Sequence, residues 1–297
     1  MEKIINQLID DILEILPIGH HELKRHLVYR VITEQQDYVV KFFSFKNRLE
    51  SEVKALQLLE NSHVPVPKVI NYGVIEGHDY MLYHYEEGIT LDKVIHEIDP
   101  KNLETLYRQA GIYLKQIHTF GENEPYGRLA VSSYNSHKEA MAYEISRIYN
   151  HLRQHKHPDE VIIDRGIQAL EDARETEGIP IKGLCHMDYN SRNILVKKVN
   201  SCYEIIKIID FEQAAITDIK RDLVNVYQKF IKNKHDLKSF SEGYGENISG
   251  HVHSEEAKLY HLHYGLSICS WSLPVDTIHY QEGIDILKEY TDDRGAK

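Results

Sequence analysis

The chain has 297 residues, with 46 acidic against 35 basic side chains and a formal charge of −11. That balance excludes a general nucleic-acid binder, whose surface must be basic to meet phosphates. At ~150 residues per domain, the length is that of two domains or one large two-lobed one. Cys185, Cys202 and Cys269 are odd in number and lack paired spacing, so neither a disulfide framework nor a zinc ribbon is indicated, and a reduced, cytoplasmic setting is expected.

Residues 1–16 place Ile4, Ile5, Leu8, Ile9, Ile12, Leu13 and Leu16 at helical spacing, followed by Pro17-Ile18-Gly19, which predicts an amphipathic helix. Its acidic residues Glu2, Asp10, Asp11 and Glu14 argue against a signal peptide. No run of 18 apolar residues occurs, so no membrane partner is expected. Residues 27–32 and 38–43 are β-rich and joined by a polar stretch from Glu34 to Asp37, a predicted hairpin. A helix over 48–60 carries Leu49, Val53, Leu56 and Leu59 on one side. Pro65 and Pro67 then start an extended segment through Ile70, and residues 80–85 form a further strand. Beyond Gly88 helical patterns dominate, near 101–119, 136–155, 159–176, 219–232, 254–273 and 277–290. A strand-rich island runs from Ile181 to Phe211. The expected fold is α+β and two-lobed, with a small N-terminal sheet lobe (1–87), a larger, mainly helical C-terminal lobe (88–297) and the division at His84–Gly88.

The island carries the chemistry. It reads Cys185-His186-Met187-Asp188, then Asn193-Ile194-Leu195-Val196, and further on Ile209-Asp210-Phe211-Glu212. A phosphoryl-transfer site needs a carboxylate to orient the attacking hydroxyl and accept its proton. It also needs oxygen ligands that hold Mg²⁺ against nucleotide phosphates. In this pattern Asp188 is the base, while Asn193 and Asp210 are the metal ligands; an oxygen-only set suits a hard ion.

The H-x-D-x-x-x-x-N spacing with the later I-D-F-E resembles the aminoglycoside phosphotransferase and choline kinase superfamily, whose fold is protein-kinase-like. Protein kinases themselves usually have Arg where Met187 stands and Gly where Glu212 stands. The resemblance implies a small-molecule kinase that moves the γ-phosphoryl group of ATP or GTP to a hydroxyl acceptor. It also implies that Lys41, on the second hairpin strand, holds the α- and β-phosphates and pairs with a helix glutamate, Glu52 or alternatively Glu50. The linker near His84 and Glu86 then binds the base through main-chain groups, with Tyr83 at the back of the base pocket. The phosphate-covering turn falls around Ile18–His26, where Gly19 is the one glycine and Lys24 or Arg25 could compensate. Asp222, after Asp218 and Arg221, corresponds to the residue that braces the catalytic loop, and His118 to a structural histidine that ends a helix.

Aminoglycosides lead as the acceptor class, since they are polycationic and the chain is acidic; Asp276, Glu282 and Asp285 are candidate acidic walls. A choline- or thiamine-type kinase is the alternative, with Tyr260, Tyr264, Trp271 and Tyr280 as candidate walls of an aromatic cage. A non-catalytic kinase-like protein is the third reading, opposed by the intact set Lys41, Asp188, Asn193 and Asp210. The H-x-H pairs His155/His157, His251/His253 and His261/His263 make poor joint metal ligands, because i and i+2 diverge on a helix.

Overall fold

The computed structural model describes residues 1–19, 21, 26–175, 178–272 and 277–291. The chain opens with one helical turn, α1 (Glu2–Ile5), then β1 (Ile12–Ile18), β2 (His26–Thr33) and β3 (Asp37–Phe43). The helix α2 (Arg48–Leu59), β4 (Val69–Ile75) and β5 (His78–His84) follow. The strands form one antiparallel sheet in the order β1-β2-β3-β5-β4.

The helix predicted for residues 1–16 is therefore wrong beyond Ile5. Asp11 turns the chain in a left-handed conformation, φ 53°, and the next segment extends instead of coiling. Ile12, Ile15 and Ile18 are β-branched and favour a strand, and Ile15 pairs with Val31 of β2. Pro17 is tolerated because β1 lies at the edge of the sheet.

The predicted hairpin is present, with Val28 opposite Lys41 and Tyr29 opposite Val40. Side chains alternate across the sheet. Val40 and Phe42 pack with Ile4, Ile5, Ile9 and Leu82 on one face. Phe43 packs with Leu49, Val53, Leu56 and Leu59 of α2 on the other. Lys41 shares Phe43's parity and so faces α2. The segment after Pro67 extends past the expected end at Ile70 and becomes β4.

The rest of the chain is mainly helical. β6 (Ile89–Thr90) and α3 (Leu91–Val94) precede α4 (Pro100–His118), and β7 (Gly127–Arg128) precedes α5 (His137–Arg153) and α6 (Glu160–Glu175). The island is β8 (Lys182–Cys185), β9 (Ile194–Val199) and β10 (Cys202–Ile208), and a further strand, β11 (Ala215–Asp218), lies beyond its expected end at Phe211. Then come α7 (Ile219–Lys229), α8 (Lys234–Tyr244), α9 (Ile248–Val252), α10 (Ala257–Ser272) and α11 (Thr277–Thr291). The strands make two small sheets, β10-β9-β6 and β7-β11-β8. The expected helices appear close to their predicted spans, but α8 and the short helices α3 and α9 were not foreseen.

The buried face of α4 is Leu106, Ala110, Leu114 and Ile117, and its start is fixed by Asp99, which accepts from the Asn102 amide at 3.0 Å, with Pro100 in the first turn. The α4 and α8 backbones touch. A Cβ on Gly243 would collide with the Arg108 carbonyl, so only glycine permits this approach. No helix among the described residues is long and apolar enough to cross a membrane.

Candidate active site

Four elements converge where the sheet meets the helical part. The Lys41 ammonium, on β3, lies 2.7 Å from Glu52 Oε2 on α2 and 2.6 Å from Asp210 Oδ1, which follows β10. Glu50 plays no part in this contact. Glu212 Oε2 stands 3.7 Å from the same ammonium and 2.6 Å from His26 Nε2. One buried lysine thus serves three carboxylates. Burial alone would lower the Lys41 pKa, but Asp210, Glu52 and Glu212 outweigh it and hold it well above the ordinary lysine value. Burial lifts Glu52 to about 7 in spite of Lys41. Burial would also raise Asp210, yet the charge and hydrogen bond of Lys41 carry it below the ordinary aspartate value. Lys41 and Asp210 therefore keep their charges near neutrality, while burial makes Glu52 the carboxylate of the cluster most easily protonated.

The catalytic-loop candidate is held by a stripe along α7. Asp222 accepts from the amides of His186 at 2.8 Å and Met187 at 2.9 Å. One turn on, Asn225 donates to the Met187 carbonyl at 3.3 Å. A further turn on, the Lys229 ammonium lies 2.7 Å from Asp188 Oδ1. These residues are i, i+3 and i+7, one face of a helix. Met187 has φ 67° and Asp210 φ 68°, so both loops carry a non-glycine residue in the left-handed region, a strained conformation of the kind that collects at working sites. His186 ties the loops together, since its Nε2 contacts the Ile209 carbonyl at 3.0 Å and its ring lies 4.3 Å from that of Phe211.

Asn193 spends its amide nitrogen on Asp188, donating to the carbonyl at 2.8 Å and to Oδ2 at 3.1 Å. That leaves its amide oxygen, and the second carboxylate oxygen of Asp210, as hard donors on two loops joined by the bond from the Ile209 amide to the Asn193 carbonyl at 3.0 Å. Glu52, Asp210 and Glu212 each present an oxygen within 4.8 Å of the others. This donor set fits Mg²⁺ and has no soft ligand.

The remaining candidates are spread more widely. His84 ends β5 and stacks on Tyr38 with 5.5 Å between ring centres. Glu86 is ion-paired with Lys207, so its side chain is engaged. Burial, then the charge of Glu52, raises the Tyr83 hydroxyl pKa, which puts that ring beside the lysine cluster. His118 bonds the Tyr244 hydroxyl at 2.7 Å and Asp222 at 3.2 Å. Lys24, Arg25 and Asp276 lie outside the described residues.

The four aromatic residues do not converge. Tyr260 donates to Asp218 at 2.7 Å, Trp271 neighbours His279, and Tyr280 stacks on His157. Only Tyr264 looks toward the loop, with its ring centre 5.6 Å from the Lys229 ammonium. Glu282 bonds His279 at 2.9 Å and Asp285 accepts from Gln281 at 2.8 Å, both along the exposed side of α11. Sequence reasoning missed Lys229 and Tyr264. The signal for Lys229 was its place on the stripe that begins at Asp222.

A two-lobed kinase-like fold with this cluster defines a phosphotransferase architecture. The sequence model of the phosphotransferase enzyme family, APH, matches residues 20–253, well over half of the chain, and the protein belongs to that family. No curated protein matches the sequence. Among solved structures, the ternary complex of a thermostable mutant of aminoglycoside phosphotransferase APH(4)-Ia with ADP and hygromycin B is similar at TM-score 0.77. Identity is 14%, over 100% of this chain and 99% of that one. The GDP and kanamycin complex of APH(2")-IIia is similar at TM-score 0.73 and 18% identity, over 99% of each chain. At such identities the likeness is one of fold.

Proposed function

We propose that this phosphotransferase moves the γ-phosphoryl group of a nucleoside triphosphate to a hydroxyl of a small molecule. Asp188 takes the hydroxyl proton. The acceptor oxygen bonds to the γ-phosphorus, the bond from that phosphorus to the bridging oxygen breaks, and the nucleoside diphosphate leaves with the electron pair. Lys41, steadied by Glu52, meets the α- and β-phosphates. Asn193 and Asp210 hold Mg²⁺, which neutralises phosphate charge when bound. Main-chain groups between His84 and Glu86 take the base, at the division between the two lobes.

The observation that carries this reading is the meeting of Lys41 and Asp210 at 2.6 Å across 169 positions of sequence, with the loop that carries Asp188 tied to it by His186. A non-catalytic protein has no use for that assembly. Aminoglycosides remain the leading acceptor class, because the structures of similar fold hold hygromycin B and kanamycin, with ADP or GDP as the nucleotide. The scattering of Tyr260, Trp271 and Tyr280 speaks against a choline-type cage. A cytoplasmic setting accords with three free cysteines.

The test is nucleoside diphosphate release from ATP and from GTP, with Mg²⁺, in the presence of hygromycin B, kanamycin or choline, followed by mass spectrometry of the acceptor. The expected result is metal-dependent release with an acceptor heavier by one phosphoryl group. Absence of metal-dependent release with both nucleotides and every acceptor would sink the proposal.

A further inference from the structure

An ionised carboxylate has about four lone-pair sites. Three of those on Asp188 are taken: Oδ1 by Lys229 at 2.7 Å and by Asn190 Nδ2 at 3.1 Å, and Oδ2 by Asn193 at 3.1 Å. One remains for the acceptor hydroxyl. That hydroxyl sits at hydrogen-bond distance from the carboxylate, roughly 3 Å, with the γ-phosphorus ~3–3.5 Å further on. The Lys229 ammonium is bonded to the same carboxylate. It therefore borders the hydroxyl under attack and, through a flexible four-carbon stem, reaches the oxygens of the group in flight.

The setting of Lys229 supports a role in the reaction. It is the last residue of α7, where the negative end of the helix dipole favours a cation. Its side chain is about a quarter exposed, as is that of Asp188, so the pair is largely shielded yet still reachable. The loop from Asp188 to Asn193 contains no lysine of its own, and Arg192 is exposed.

Resting on the phosphotransfer reading above, we infer that Lys229 is a catalytic cation of this site. In the free protein it is paired with Asp188; in the reacting complex it contacts the equatorial oxygens of the moving phosphoryl group. As the hydroxyl proton passes to Asp188, the carboxylate loses its charge and Lys229 loses its counter-ion. The phosphoryl oxygens are then the nearest negative charge. The attraction grows as the transition state forms, which is the condition for an interaction to raise kcat rather than tighten ground-state binding.

The test uses inorganic phosphate release from Mg·ATP and Mg·GTP, with water as the acceptor, and calorimetry for nucleotide affinity. Lys229→Met should lower kcat by ~10²-fold, the scale of one lost oxyanion contact, with nucleotide affinity nearly unchanged. Lys229→Arg should recover much of the loss. A purely structural tie would act through Asp188 alone, so the Asp188→Asn background separates the two. There the carboxylate is gone, so a cation acting only through it has nothing left to hold, whereas one that contacts the phosphoryl oxygens still stabilises them. Adding Lys229→Met should therefore still cost at least ~10-fold, although residues in contact do not add strictly. An unchanged rate in the double variant, or a parent-like rate in Lys229→Met, overturns the inference while leaving the kinase reading intact. A parent protein with no Mg²⁺-dependent nucleoside diphosphate release from either nucleotide, with water, hygromycin B, kanamycin or choline as acceptor, overturns both.

Discussion

The two halves of the candidate site are built by different means. The donor half, around Lys41, is an ion cluster fixed by strand register and a buried helix face, with Lys41 and Glu52 almost wholly enclosed. The acceptor half, around Asp188, is partly open, and its neighbours Lys229 and Tyr264 come from α7 and α10. The first is a charge problem solved inside the protein, where one cation and three carboxylates hold each other in place. The second is looser, with about a quarter of each of the Asp188 and Lys229 side chains exposed. The difference teaches that, if the proposed roles hold, the nucleotide side is set by strand register and buried charge and the acceptor side by helix packing.

The comparison is broken most severely from the donor side. Asp210→Ala should reduce metal-dependent transfer to the level of a protein-free control, because it removes both a metal ligand and the partner of Lys41. Retained turnover, measured as nucleoside diphosphate release, would show that Asp210 is misassigned. On the acceptor side, Asp188→Asn keeps the shape of the carboxylate but not its basicity. Turnover should fall ~10²–10⁴-fold while nucleotide binding by calorimetry persists. Equal losses of binding and turnover would mean that Asp188 belongs to the donor half instead.

A smaller effect separates the halves by pH. On α10, burial holds the pKa of His261 to about 4, with His253 adding to the effect, and burial followed by Arg221 holds His263 to about 3. An unfolded histidine titrates near 6.5. Between those values the unfolded chain binds protons that the folded one refuses. Stability from these residues is thus complete above about pH 6.5 and lost as pH falls toward 4, by up to ~1.4 kcal/mol per pH unit for each. Glu144, near His263, keeps its charge through this window. Burial would raise its pKa, but Arg221 brings it to about 2. Urea midpoints between pH 4 and 7 should slope downward in acid, and the slope should flatten in a His261→Asn/His263→Asn variant. An identical slope in that variant would exclude these two histidines as the cause.

Much of the donor half was legible in the sequence. The spacing of Asp188, Asn193 and Asp210 is local to two short loops. Lys41 and its partner Glu52, rather than Glu50, came from the resemblance to the family, and the structure joins the two at 2.7 Å. The first strand was not legible, because isoleucine and leucine at positions 4–16 satisfy a helical period as well as burial on a sheet, and only pairing with β2 decides between them. Helix α8 was hidden by its polar first turn, Lys234-His235-Asp236, although Asn233 caps it by accepting from the amides of His235 and Asp236. Lys229 escaped because its partner lies 41 positions away; its one local signal, a place on the helix face that starts at Asp222, is shared by many solvated lysines at helix ends.

The edge strand β4 has a consequence for the chain in crowded solution. Its outer backbone has no neighbour within the sheet, and Ile70, Tyr72 and Val74 are each at least two-fifths exposed along it. An unpaired, apolar edge is a template on which a second chain can add a strand. Two features blunt it: the register slips between Val69 and Asn71, and Gly73 interrupts the middle. Self-association through this edge would therefore be slow while the sheet is intact and faster once heat loosens its neighbours. Light scattering during a thermal ramp should accordingly rise with protein concentration, and a concentration-independent trace would show that the slip and the glycine suffice as guards.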